Sequence, residues 1–351
     1  MRKVLFAGLL MAGAAGTAHA DSFDVTNAAR YEAAHRDIAL ALQQELAGGD
    51  IEAALGDFAL HHRELPLREI CTRCETTAKR AGVDEKVYEP GAWLHMPASR
   101  SWTAEQTLIS FPPAGDERSW TTIDALTMDG RWIALDVDAA PDVPVIVLRI
   151  NGALSFERQV ELANAMLRDA ALQVPVAIAK GTNRWTTRLE MIHLGDDEEP
   201  WVSGAAEVYA ITSGVLPGNQ PQVQIVDMPY LDHDGRAYYP RQVVLDWASY
   251  TFGVANIQLY EHDDNTSYQQ LVTLLIQAIG QGGSLAGYPQ VQAVAEIAAR
   301  IVQAMPAGWF SNDDDYVDSL YSVEKWVGES NRYGARANAR VSYIPYELPA
   351  N

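Results

Sequence analysis

"NIQLYEHDDNTSY", residues 256–268, joins an alternating apolar and polar run to four consecutive charged or titratable side chains. The run has the period-2 pattern of a half-buried strand. Glu261, His262, Asp263 and Asp264 crowd its end. Like charges at that spacing repel by about 1 kcal/mol per close pair at the surface, so the stretch is either a solvated turn or the lining of a cation. Acids collect at other strand junctions in the same half of the chain. Asp196, Asp197, Glu198 and Glu199 precede "AEVYA", Asp227, Asp232 and Asp234 fall in "DMPYLDHDG", and Asp313, Asp314, Asp315 and Asp318 fall in "NDDDYVDS". If successive strands run up and down, the first and last of these clusters meet "EHDD" at one end of a sandwich, where they offer the six to eight oxygens that calcium takes.

Outward from this stretch the texture stays β. "RWTTRLEMIHL", "AEVYAITS", "QVQIVDMPYL", "QVVLDW", "DDYVDSLYSVEKW" and "ARANARVSYIPYEL" alternate or run β-branched. Two helical stretches interrupt them, "SYQQLVTLLIQAIG" and "PQVQAVAEIAARIVQAM", joined by the Gly- and Ser-rich "QGGSLAGY". Antiparallel sheets tolerate such insertions at loops. The fold class expected is therefore mostly β with helical additions: an antiparallel β-sandwich at 185–345 with a helical insertion at about 267–306. Ahead of it come a helical segment at 21–85, a small β unit at 86–154 and a helical connector at 155–184. The small unit includes a hairpin through Met128-Asp129-Gly130-Arg131.

Residues 1–20, "MRKVLFAGLLMAGAAGTAHA", carry Arg2 and Lys3, an apolar core and an Ala18-His19-Ala20 exit, the pattern of a secretory signal cut before Asp21. The expected location is periplasmic or extracellular. Removing the signal changes 26 Lys and Arg to 24 against 46 Asp and Glu, so the formal charge moves from −20 to −22. A chain this acidic repels phosphate, which speaks against nucleic acid, and attracts divalent cations. No later apolar stretch reaches the roughly 18–20 residues that span a bilayer.

The only cysteines, Cys71 and Cys74 in "CTRC", lack the preceding strand of a redox motif and a second pair to complete a zinc site. A local disulfide formed in an oxidising compartment is the plainer reading. Enzyme motifs are scarce: no H-E-x-x-H occurs, and "GGSLAG" around Ser284 lacks the closing Gly of a nucleophile elbow. Paired carboxylates for an extracellular hydrolase of a glycan or peptide, with Asp227 or Asp246 beside Trp247, stay as the alternative function. Nine Trp and fifteen Tyr, with Tyr230, Tyr238 and Tyr239 near acids, suit either sheet-edge packing or a surface for a carbohydrate or protein partner.

Glu207 in "AEVYA", the Glu261-x-Asp263 pair after a strand and Asp315 opening "DYVDSLYSVE" together resemble the calcium-binding loops of C-two domains. That resemblance covers roughly residues 185–345 and implies calcium held by Glu207, Glu261, Asp263 and Asp315, with Glu199 a looser match. Glu replaces Asp twice, and Asp318 stands where Gly is usual. Over most of the mature chain, "DEEPWVSGAAEVYAITSG", "DMPYLDHDG", "YYPRQVVLDW" and "EHDDNTSY" look like the exported bacterial family catalogued as domain of unknown function 3103. This second resemblance implies location and architecture, and no activity.

Overall fold

The computed structural model describes residues 23–49, 51–60, 64–97, 101–115, 117–173, 183–195, 201–204, 206–216, 220–231, 235–262, 267–280, 290–304 and 316–349. The stretch at 1–20 and the Ser284 segment lie outside them. The first part of the chain begins with helices α1 (Ala28–Ala47) and α2 (Ile51–Leu60), strand β1 (Leu65–Pro66), and helices α3 (Leu67–Ile70) and α4 (Thr72–Arg80). Strands β2 (Gly91–His95), β3 (Leu108–Ser110), β4 (Thr122–Thr127), β5 (Trp132–Asp136) and β6 (Val145–Arg149) follow. They form one sheet in the order β1-β2-β6-β3-β4-β5, antiparallel except for β3 against β6.

Alternation along β6 decides how this sheet is covered. Ile146 and Leu148 face the helices, packing with Tyr31, Ile38 and Leu42 of α1 and Leu55 and Phe58 of α2. Val145 and Val147 face the other way, into a cluster with Ile123, Ala125 and Val202. The helical start and the β strands therefore share one core. Asn27 caps α1 by accepting from the Arg30 N–H at 3.2 Å. Cys71, at the junction of α3 and α4, is joined by a disulfide to Cys74 in the first turn of α4, and both are buried. Gly130, at φ 84°, closes the β4–β5 hairpin, a backbone region that costs glycine least.

Helix α5 (Ala153–Asp169) leads into the second part. Here β7 (Arg184–Leu194), β8 (Tyr209–Leu216), β9 (Gln220–Asp227), β10 (Ala237–Tyr238), β11 (Gln242–Asp246) and β12 (Val254–Tyr260) precede helices α6 (Tyr268–Gly280) and α7 (Gln290–Ala304). Strands β13 (Tyr316–Glu324), β14 (Glu329–Tyr333) and β15 (Ala339–Leu348) end the chain. One sheet runs β10-β7-β15-β14, with β11 also on β7, and the other runs β13-β12-β8-β9.

The two sheets face each other across Leu189, Ile192, Val341 and Tyr343 on one side and Ala255, Ile257, Leu259 and Leu320 on the other. The β8-containing sheet is also covered behind. Tyr209, Ile211, Val223, Ile225 and Tyr260 pack under Phe156 of α5, Leu271 and Leu275 of α6, and Ile297 and Ile301 of α7. Every residue of β8 is consequently buried, which is why "YAITSGVL" is apolar or small on both of its faces. The protein is mostly β with helical additions. Among the described residues no helix is long and apolar enough to cross a membrane.

Candidate functional site

Strand register aligns the start of β8, the end of β12 and the start of β13 at one end of the helix-covered sheet. Tyr260 pairs with Tyr209 of β8 and with Tyr316 of β13, so the chain ahead of β8, the chain after β12 and the chain ahead of β13 all open there. One step past the ladder the His262 N–H donates to the Glu207 carbonyl at 3.1 Å. Three tyrosine rings make a row across the strands, with centroids 5.7 Å apart for Tyr209 and Tyr260 and 5.6 Å for Tyr260 and Tyr316. Burial pushes the Tyr316 phenol up to about 12, helped by Tyr321 and Asp318 and opposed by its bond to Ser319. Tyr260 is raised further, again mainly by burial.

Of the five residues expected to bind metal, Glu207 and Glu261 are described; Glu199, Asp263 and Asp315 lie outside the described residues. Glu261 is buried beside His262. Glu207 has a different engagement from the one anticipated. The Arg149 guanidinium donates to it from both terminal nitrogens, Nη1 to Oε1 at 2.5 Å and Nη2 to Oε2 at 2.9 Å. Their side chains are 5% and 6% exposed, so this is a sealed bidentate pair. Alternation on β6 explains the meeting, because Arg149 shares its face with Val145 and Val147, the face that Val202 covers. The buried His262 imidazole stands 3.7 Å from Glu207 Oε2 and packs against Phe156, ring centroids 5.2 Å apart.

Asp318, the departure from the calcium-loop pattern, is wholly buried and accepts four backbone N–H groups. Ser319 and Arg336 donate to Oδ1 at 2.7 and 2.8 Å, and Asn338 and Ala339 to Oδ2 at 3.0 and 2.7 Å. A carboxylate here stitches the 334–339 turn onto β13, a task Gly cannot perform. Gly334 leaves it room: a Cβ there would collide with the Asp318 carboxyl group.

The carboxylates weighed for hydrolysis are also partly spoken for. Asp246 caps the turn after β11 by accepting from Ala248 N–H at 3.1 Å and pairs with Arg184 at 2.7 Å. Among the described residues no group of three or more His, Cys, Asp or Glu side chains converges to hold a metal.

Residues 41–351 match the family described as "Protein of unknown function (DUF3103)". The chain belongs to that family. No curated protein and no solved structure matches this DUF3103 member.

Proposed function

We propose that the protein is exported and binds calcium at the acid-rich end of the sandwich, where the cation orders the loops for stability or for a partner. The observation that carries this reading is the register of β8, β12 and β13, which opens three acid-bearing segments at one end. That order of acids, one ahead of β8, a pair after β12 and one ahead of β13, is also what the C-two-type resemblance rests on. Glu261, Asp263 and Asp315 supply the hard carboxylate oxygens that calcium prefers. Glu207 is withdrawn from that set by Arg149, and serves instead to seat the sandwich on the preceding sheet. The buried Cys71–Cys74 disulfide supports an oxidising compartment, in line with the N-terminal signal pattern.

Melting curves with calcium and with chelator test the reading. A ligand that binds only the folded state at a hundredfold its dissociation constant stabilises by about 2.7 kcal/mol. Asp263→Asn and Asp315→Asn should each abolish most of that gain, while Asp246→Asn should not. Identical wild-type midpoints at millimolar calcium and in chelator would sink the site.

A further inference from the structure

The end of the sandwich opposite the acids carries a different kind of surface. Strand β13 runs from Tyr316, beside Tyr260, to Glu324, beside Val254, and the loop to β14 begins there. This loop is tied down: Lys325 N–H donates to the Gly253 carbonyl at 2.9 Å and Val327 N–H to the Glu324 carbonyl at 3.2 Å. Gly328 lies so close to β15 that a Cβ on it would meet the Tyr343 carbonyl oxygen at 3.2 Å. On this fixed loop Trp326 leaves 61% of its surface in water. Its ring is backed by Trp185, centroids 4.8 Å apart and planes at 70°, and Lys325 Nζ stands 4.6 Å from its centre.

Polar side chains adjoin the two rings. Glu347 is the cross-strand partner of Trp185, and its Oε1 accepts from Asn183 Nδ2 at 2.9 Å. An exposed indole, a second ring fixing it, an amide, a carboxylate and an ammonium thus share one small area. An indole held exposed on a tied-down loop presents a flat apolar surface on which a partner with a flat apolar face can stack. A pyranose with equatorial substituents has such a face of C–H groups, and its hydroxyls need neighbours that both donate and accept. Asn183 and Glu347 do both between them. The charges of Lys325 and Glu347 cancel, which favours an uncharged ligand, and the fixed loop lowers the ordering cost of binding.

We infer that Trp326, Trp185, Lys325, Asn183 and Glu347 form a saccharide-binding site for a β-linked glucan chain. The site is independent of the calcium reading, since it lies at the other end of the sheet. Calorimetric titration of the full chain with cellohexaose and with laminarihexaose, in calcium and again in chelator, tests it. At least one hexasaccharide should bind with a submillimolar dissociation constant in both buffers. Trp326→Ala should weaken binding at least tenfold with an unchanged melting midpoint, and Asn183→Ala should weaken it less. If neither hexasaccharide binds at millimolar concentration, or if Trp326→Ala binds as tightly as the wild type, the assignment is overturned. Loss of binding in chelator alone would also overturn it, because the ligand would then belong to the acid-rich end.

Discussion

The turn at 334–339 and the seam at Glu207 each bury a carboxylate, and they neutralise it in opposite ways. Asp318 is answered by four backbone N–H groups from its own strand and the turn that strand holds. Glu207 is answered by a guanidinium from a different sheet, reached across 58 positions of sequence. The first arrangement stabilises one element and is private to the sandwich. The second ties the stability of the sandwich to that of the preceding sheet, because neither charge can be left alone in a place closed to water.

The largest effect should come from breaking the seam. Arg149→Met strands the buried Glu207 carboxylate, and a destabilisation of about 3–5 kcal/mol in urea unfolding is expected, with Glu207→Gln costing a comparable amount. The double variant should lose much less than the two losses added together. Additive losses would mean that the two side chains do not act as a pair, and the contrast with Asp318 would collapse.

Asp318→Asn comes next, at about 2–3 kcal/mol, since an amide NH2 must then face backbone donors that lose their acceptor. Gly334→Ala should also destabilise, by driving a Cβ into the Asp318 carboxyl. In an Asp318→Ala background the same glycine change should be nearly neutral, because the obstructing group is gone. If Gly334→Ala is tolerated in the wild type, the turn is looser than its four hydrogen bonds imply.

The smallest effect belongs to the disulfide, a second private link. Its four-residue ring removes little freedom from the unfolded chain, so Cys71→Ser with Cys74→Ser should cost about 2 kcal/mol. The Arg149–Glu207 coupling measured in that background should be unchanged. A changed coupling would place the helical start within the seam.

Elements with a clear period were legible in the residues alone. "NIQLY", the "YAITS" part of "AEVYAITS", the Asp129-Gly130 hairpin and the two inserted helices stand where alternation, turn chemistry and helical spacing put them, while Ala206–Val208 lie ahead of β8. Strand β14 leaves no such signal, since "ESNRY" is polar and lies at a sheet edge, with no buried face to impose alternation. The alignment of the β8, β12 and β13 ends follows from counting strands up and down. The Arg149–Glu207 pair does not, because "VPVIVLRI" reads as a strand whichever sheet it joins, and nothing local says which face the second unit covers. Asp318 looked like a defect in a calcium loop, and its role became visible only with the turn that folds back onto it.

The pairing of β7 with β15 has a consequence for the order in which the molecule is made. Ten residue pairs, from Arg184 with Leu348 to Leu194 with Ala339, join the strand that opens the sandwich to the one that closes the chain. Until the last strand has emerged, β7 has only the short β10 and β11 as neighbours, and the inner face of its sheet lacks Val341 and Tyr343. Contacts so distant in sequence form late and slowly. The sheet built on β7 is thus completed only once β15 has been made, after every other described strand of the sandwich.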